Sequence, residues 1–306
     1  MAQVSRGAEP LLRGGAQPSW WRSARLKARL GHVLLHVVLI VTGFTFLVPL
    51  LWVVATSLKA PNQVFTYPIQ WIPREPQWVN YSSMLTLLEI AGRPALLVFV
   101  KNTVIVATAA MLGTIFSSLL VGYSLARLRW PGRSLVFGLV LAVMMLPGVV
   151  TLVPLFLIFR DLGWLDTFLP LIVPSWFGSG FFIFLMRQFL TGLPIELEEA
   201  ARVDGAGSLR ILLRVVAPLS KPAMATVGIF SFLGHYNEFM GPLIYLDSNS
   251  NYTLALGLRM FQGRYGDRWP IVMAASTIMI APVIVLFFFA QKQFIRGIQL
   301  GGLAGR

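Results

Sequence analysis

Six stretches of this 306-residue chain stay apolar over the span of a lipid bilayer: Val33 to Thr56, Val98 to Ala126, Leu135 to Phe159, Phe168 to Leu190, Ala223 to Leu246 and Ile271 to Ala290. A hydrocarbon core ~30 Å thick takes about 20 residues of helix to cross, and lipid offers no partner to a backbone N–H or C=O. Each stretch is therefore expected to be a helix whose hydrogen bonds close on themselves. The expected fold is all-α, a polytopic membrane protein with six transmembrane helices and a cytoplasmic loop between the fourth and fifth. Composition agrees: 56% of residues are hydrophobic and 12% charged, about half the charge content of a soluble domain.

The net charge of +13, taken alone, would suit a nucleic-acid ligand. The basic residues are instead scattered over short loops between apolar runs, where they set orientation, and no nucleic-acid partner is expected. Roughly two-thirds of the lysines and arginines lie in one alternate set of segments, by which both termini and the segments holding Arg127 to Arg133 and Arg187 to Lys221 are cytoplasmic. The first apolar run is longer than the ~7 to 15 residues of a signal-peptide core, and five more runs follow, so it reads as an uncleaved anchor. Residues 1–31 form a basic leader with Gly and Pro, expected to be a flexible tail near anionic lipid. Residues 32–303 form the membrane domain, with its loop at about 191–221, and 304–306 the C-terminal end. The absence of cysteine excludes disulfides, thiolate metal sites and cysteine nucleophiles. His32 and His36 lie one helical turn apart but lack a third ligand, so no metal is expected.

Between the fourth and fifth runs lies a charged island, Pro194-Ile-Glu-Leu-Glu-Glu-Ala-Ala-Arg-Val-Asp-Gly-Ala206. Pro194 suits a first helical turn, and Glu196, Glu198 and Glu199 favour the positive end of a helix dipole. The pattern predicts a helix through Ala200 and Ala201 to about Asp204, broken at Gly205, then a second helix capped by Ser208 and closed by Pro218. Both would lie along the membrane surface. The two alanines leave a shallow face, and the flanking carboxylates can pair with arginine on a partner; the plain alternative is a solvated linker. In the fifth run Glu238, beside Asn237, is the acidic residue inside an apolar stretch. That cost marks it as a site candidate, unless it lies near the outer face and is wet. A single carboxylate makes a poor proton relay. Pro147 and Pro154 can bend the third span or simply pack within it.

The island resembles the EAA loop of permease subunits from ATP-driven bacterial importers. Glu199, Ala200, Ala201, Gly205 and Pro218 fall on its pattern of Glu-Ala-Ala, three residues, Gly, and an apolar-rich stretch ending in Pro. Pro194, Glu196, Leu197, Asp204 and Ala206 extend the similarity to the carbohydrate-importing branch. From Phe46 to Leu303 the chain is similar to the smaller permease subunit of the maltose type. The further matches are Lys59-Ala60-Pro61 through Val64-Phe65, Asn102-Thr103, Gly122-Tyr123 with Ala126-Arg127, and Met145-Leu146-Pro147 with Pro154. Ala217 and Tyr236 depart from the usual leucine and tryptophan.

The resemblance implies that Glu196, Glu199, Ala200, Ala201, Asp204 and Gly205 couple to an ATPase by seating the helix in a cleft of that subunit. It also implies that Asn237 and Glu238 line the translocation pathway. The stretch Thr253 to Trp269, with Phe261, Gln262, Gly263 and Tyr265, would reach into a sugar-binding protein through exposed aromatics, where a plain membrane-interface belt is the alternative. The tail Gln291 to Gly302 would meet the ATPases or serve as a basic anchor. Implied partners are a second permease subunit in a heterodimer, two ATP-binding subunits and an extracytoplasmic sugar-binding protein. No Gly-x4-Gly-Lys-Ser/Thr loop occurs in the chain, so ATP and magnesium belong to the partner ATPase, and the chain itself is neither an enzyme nor a cofactor carrier. The implied location is the bacterial cytoplasmic (inner) membrane, and the implied cargo a sugar or oligosaccharide. A glycerol-phosphate diester is the alternative cargo. An ion-coupled carrier would instead show paired intramembrane carboxylates and an internal repeat.

Overall fold

A computed structural model describes the backbone of residues 19–265 and 268–303 and the side chains of 29–263 and 268–289. The chain divides into two units, Met1–Trp52 and Val53–Arg306. The first consists, within the described residues, of the body of helix α1 (Ser19–Ser57). This helix already runs from Ser19, inside the leader expected to be flexible. Residues 19–30 contain no Gly or Pro and are rich in Ala, Leu, Arg and Lys, so the helix propagates back from the apolar run.

The second unit takes in the last turns of α1 and a 3-10 turn (Pro61–Gln63), followed by α2 (Val79–Thr86) and a hairpin of two-residue strands, β1 (Glu89–Ile90) against β2 (Arg93–Pro94). Its turn residues Ala91 and Gly92 both have positive φ, 51° and 72°, as a type I′ turn requires. Helix α3 (Ala95–Arg127) follows. The third span is then not one bent helix but two, α4 (Arg133–Met144) and α5 (Gly148–Asp161), set at 100°. Pro147 forces the break: it caps α5, and its ring disfavours helical geometry at Leu146. Pro154, by contrast, is accommodated inside α5.

The fourth span starts as α6 (Leu169–Ile172), tightens into a 3-10 turn (Val173–Trp176), breaks where Gly178 takes φ +109°, and resumes as α7 (Gly180–Thr191). The island forms α8 (Glu196–Val203), α9 (Ser208–Ile211), a π turn (Leu212–Val216) and α10 (Ala217–Leu219), then bends 78° into α11 (Lys221–Tyr236). The fifth run is interrupted after Tyr236 and ends in α12 (Met240–Tyr245). Helices α13 (Leu254–Tyr265) and α14 (Trp269–Leu303) complete the described chain. Among the described residues four helices are long and apolar enough to cross a membrane, and counting each bent pair as one span makes six.

The core of this unit is built along α3, which packs on α7 and α11. One apolar cluster gathers Phe99, Tyr236, Leu254 and Phe261, and a second Tyr123, Met186, Ile211 and Val227. A third, around Phe159, Leu171 and Tyr245, adjoins the first through Tyr252. Close approach depends on glycine: a Cβ on Gly113 would meet Trp176 at 2.4 Å, and one on Gly122 would meet Met186 at 3.0 Å. Small residues at such crossings let membrane helices reach van der Waals contact.

At the far end of the fourth span from the island, Asp166 pins two loops together. It sits in the left-handed region (φ 57°), and its Oδ1 accepts the backbone N–H groups of Asp247 (3.0 Å) and Ser248 (2.9 Å), while Oδ2 accepts the Ser248 hydroxyl. These bonds, the Ser248 hydroxyl foremost, hold its pKa down to about 2 against the opposing effect of burial. A depressed carboxylate stabilises the fold above its ordinary value near 3.9 and stops doing so as pH falls through the folded value. We expect Asp166→Asn to cost on the order of 2 kcal/mol at pH 6. The gap from the parent chain should close between pH 4 and about 2, as read by melting in detergent; a pH-independent gap would refute the latch.

Candidate functional site

Helix α8 carries Glu196, Glu198 and Glu199 in its first turn, where they offset the exposed N–H groups, and Arg202 in its last. It ends in a Schellman motif. The Ala206 N–H reaches the Ala201 carbonyl (2.9 Å) and the Gly205 N–H the Arg202 carbonyl (3.0 Å), with Gly205 left-handed at φ +79°. The second helix starts differently from expectation: Gly207 is its cap, and Ser208 is the first helical residue and makes no capping bond. Glu196, Glu199, Ala200, Asp204 and Gly205 lie together on an exposed face, with Ala201 half-buried. Leu197, Val203, Leu209 and Leu213 add an exposed apolar fringe.

Glu198 turns the other way. Its side chain is 2% exposed, and its Oε1 lies 3.1 Å from Nε of Arg127, itself 8% exposed at the end of α3. Tyr123, one turn earlier on α3, donates its hydroxyl to Glu198 Oε2 (3.3 Å). A second nitrogen of Arg127 donates to the carbonyls of Leu190 and Leu193, at the end of α7. Arg187 of α7 answers by donating Nε–H to the Leu125 carbonyl (3.3 Å). Two charges can be held in an apolar interior only when each has further hydrogen bonds, which is the case here. Sequence reasoning passed over this cluster, although Tyr123 and Arg127 stood among the matched residues; three neighbouring glutamates do not reveal which one points inward.

The second candidate region surrounds the break in the fifth span. Glu238 was expected inside a helix but occupies the gap between α11 and α12, where its Oε1 accepts the Gly241 N–H (3.0 Å) and so caps α12. It lines a cavity of about 230 Å³ together with Ser175, His235, Tyr245 and Phe159. Asn237 is exposed, and its amide turns back to the Leu233 carbonyl (2.9 Å).

His235 Nδ1 lies 2.8 Å from the Ser231 carbonyl, which can only accept, so Nδ1 holds the proton and Nε2 accepts from the Ser175 hydroxyl (3.0 Å). Ser231 donates to Thr114 Oγ1 (3.0 Å), and Ser117 to the Ser175 carbonyl (3.1 Å). A polar seam thus joins α3, the broken fourth span and α11. Thr114 with Ser117, and Ser231 with His235, stand at helical spacing, a signal the sequence carried and hydropathy hides.

The stretch Thr253 to Trp269, expected to reach into a binding protein, is mostly the helix α13. Phe261 does not stand exposed as expected; it is fully buried against Phe99 and Leu254, because α13 needs an apolar face to pack on α3 and α14. Gln262 and Gly263 are exposed, and the side chain of Tyr265 lies outside the described residues, as do those of the tail from Gln291. The entry to α13 is set by Asn102, whose amide donates to the carbonyls of Ser250 (2.8 Å) and Tyr252 (3.0 Å), and by Thr103, which accepts the Leu254 N–H (2.7 Å).

Residues 118–300, which enclose the island, its Arg127 anchor and most of the cavity wall, match the family described as binding-protein-dependent transport system inner membrane component. The chain is 34% identical over 269 residues to the sulfoquinovosyl glycerol transport system permease protein SmoH of Agrobacterium fabrum, covering 88% of this chain and 91% of that one. It is 31% identical over 274 residues to the arabinooligosaccharides transport system permease protein AraQ of Bacillus subtilis, covering 90% and 96%. In three dimensions it resembles a chain of a bacterial ABC transporter that imports the acidic polysaccharide alginate, with a TM-score of 0.75 at 23% identity over 87% of this chain and 97% of that one, a likeness that shows the fold. With the exposed glutamate-rich loop, the six spans and these relatives in view, the chain belongs to the inner-membrane components of binding-protein-dependent transport systems, the non-catalytic permease subunits of ABC importers.

Proposed function

We propose that this permease subunit imports a neutral sugar or oligosaccharide and is driven through the exposed face of α8. In this reading both termini and the island are cytoplasmic, ATP and magnesium sit on two ATP-binding subunits, and a second permease completes the passage. The observation that carries it is the Schellman-closed helix presenting Glu196, Glu199, Ala200 and Asp204 outward while Glu198 roots it in the spans. Closure of the ATPase pair would push this helix and turn the cavity beside Glu238 from one side of the membrane to the other. Asn237 and Glu238 would then border the route, and Gln262 and Gly263, with Tyr265, would face the extracytoplasmic binding protein.

The residues lining the cavity include one carboxylate and, among the described residues, no lysine or arginine. That supports a neutral polyhydroxyl solute over a phosphate or sulfonate, since an anion would enter against Glu238 uncompensated. The second reading, an anionic cargo, draws on a 31% identical sn-glycerol-3-phosphate transport system permease protein of Yersinia pestis. Uptake of radiolabelled arabinotriose, maltose and sn-glycerol-3-phosphate by the reconstituted complex separates the two.

Gly205→Val tests the lever. A β-branched residue at φ +79° is strained by about 1–2 kcal/mol, enough to shift the docking equilibrium roughly tenfold. ATPase stimulation by the loaded binding protein should fall by that factor, and Glu199→Gln should lower it as well. Full stimulation with normal uptake in both variants would remove the case for the loop.

A further inference from the structure

We infer that Arg127 is a positioning residue that makes α8, the second span and the fourth span move as one body, so that Glu198 transmits motion while Glu196 and Glu199 receive it. The inference rests on the proposed reading of α8 as the driven element. Its basis is that one guanidinium addresses three elements at once: it is rooted in the last turn of α3, donates to the Leu190 and Leu193 carbonyls at the end of α7, and pairs with Glu198 of α8. Carbonyls at a helix C-terminus carry partial negative charge, so a cation bridging them to a carboxylate is held electrostatically from both sides. Tyr123 adds a second bond from α3 to Glu198, and Arg187 adds a return bond from α7 to α3.

The junction is almost dry, with Glu198 2% and Arg127 8% exposed. Water therefore does not stand ready to replace these bonds, and α8 cannot tilt without dragging α3 and α7. From Arg127 the helix α3 runs to Ser117 and Thr114 in the polar seam and on to Val106 on the cavity wall, a rigid rod of roughly 30 Å at 1.5 Å per residue. A push on α8 thus reaches the cavity without passing through a flexible loop. A lysine cannot substitute, because a single ammonium lacks the planar fork that serves two carbonyls and a carboxylate together.

The test uses the complex co-purified through a tag on this chain and reconstituted with its binding protein, with Arg127→Lys, Glu198→Gln and Tyr123→Phe introduced singly. ATP hydrolysis measured without the binding protein should stay within about twofold of the parent, while solute carried per ATP in its presence falls at least tenfold in R127K and E198Q and about threefold in Y123F. The uptake probe is whichever of arabinotriose, maltose and sn-glycerol-3-phosphate the parent complex carries. Hydrogen exchange, which needs no solute, should show ATP changing protection in 123–127 and 196–203 together in the parent and only in 196–203 in R127K. Glu199→Gln should behave oppositely, losing stimulation of hydrolysis itself. Unchanged solute per ATP in all three variants, or joint exchange changes in R127K, would overturn the inference. A parent complex that hydrolyses ATP with no uptake would instead refute the importer reading. Should R127K or E198Q fail to assemble, Y123F, which leaves the α7 anchor intact, decides the matter alone.

Discussion

An Arg127→Ala chain is expected to be less stable than the parent by up to about 3 kcal/mol, because the substitution leaves the buried carboxylate of Glu198 with only the half-exposed Arg202, 4.0 Å away, as a counter-charge. The carbonyls of Leu190 and Leu193 lose a donor in the same step, so the end of α7 and the island should loosen together. The measurement is unfolding in mixed micelles by denaturant or heat, with proteolysis between 191 and 196 as a local reporter. Replacing the pair with apolar residues of similar volume, Arg127→Met with Glu198→Leu, should recover most of the loss, since a well-packed apolar pair is often as stable as a buried ion pair. The double variant would fold and still fail to transmit. A single-variant cost below about 1 kcal/mol would mean that Arg202, already 4.0 Å from Glu198, or water takes over the pairing.

Gly257→Ala is expected to destabilise by about 1–3 kcal/mol, the usual penalty for overfilling a packed core. In a helix this change ordinarily gains up to about 1 kcal/mol, and here steric conflict decides the sign. A Cβ on Gly257 would stand 2.1 Å from Cδ2 and 2.4 Å from Cε2 of Phe99. That ring is fully buried and leans on Tyr252, with centroids 6.4 Å apart, so it has nowhere to retreat. Gly263, further along α13, provides the contrast, since a Cβ there meets nothing within 4 Å and Gly263→Ala should stabilise slightly. Melting of both variants, with Phe99→Leu added to relieve the first, checks the assignment. Equal shifts for the two glycines would contradict it.

What the sequence made legible followed from local chemistry. Runs of bilayer length announced the spans, and Pro194, the glutamates and Gly205 announced α8 and its left-handed end, because caps and dipoles act within one turn. The breaks at 145–147, 177–179 and 237–239 were not legible, since a hydropathy window averages across a gap of three residues set between apolar flanks. Pro147 read as a bend within a helix when it ends one, and Gly178 gave no local sign of its φ of +109°. Glu238 shows the consequence: its acidity drew attention, but its capping bond to Gly241 depends on a break that the apolar flanks conceal. Phe261 was misread because an aromatic on a helix is buried or exposed according to its face, and the residues alone did not show which face of α13 packs inward. Glu198 and Tyr123 meet across 75 residues of chain, and no local pattern encodes such a meeting.

The bonds that Asn102 and Thr103 make to the entry of α13 have a consequence for how the protein is made. Asn102 waits for partners 148 and 150 residues further on, and Thr103 for one 151 residues on. At ribosomal speeds of about 5–20 residues per second that interval is about 8–30 s. The nascent chain must therefore thread its second to fifth spans into the bilayer with this rim unfinished. A polypeptide stalled before residue 250 would present an unsealed edge, giving membrane quality-control proteases a means of telling a truncated product from a finished one.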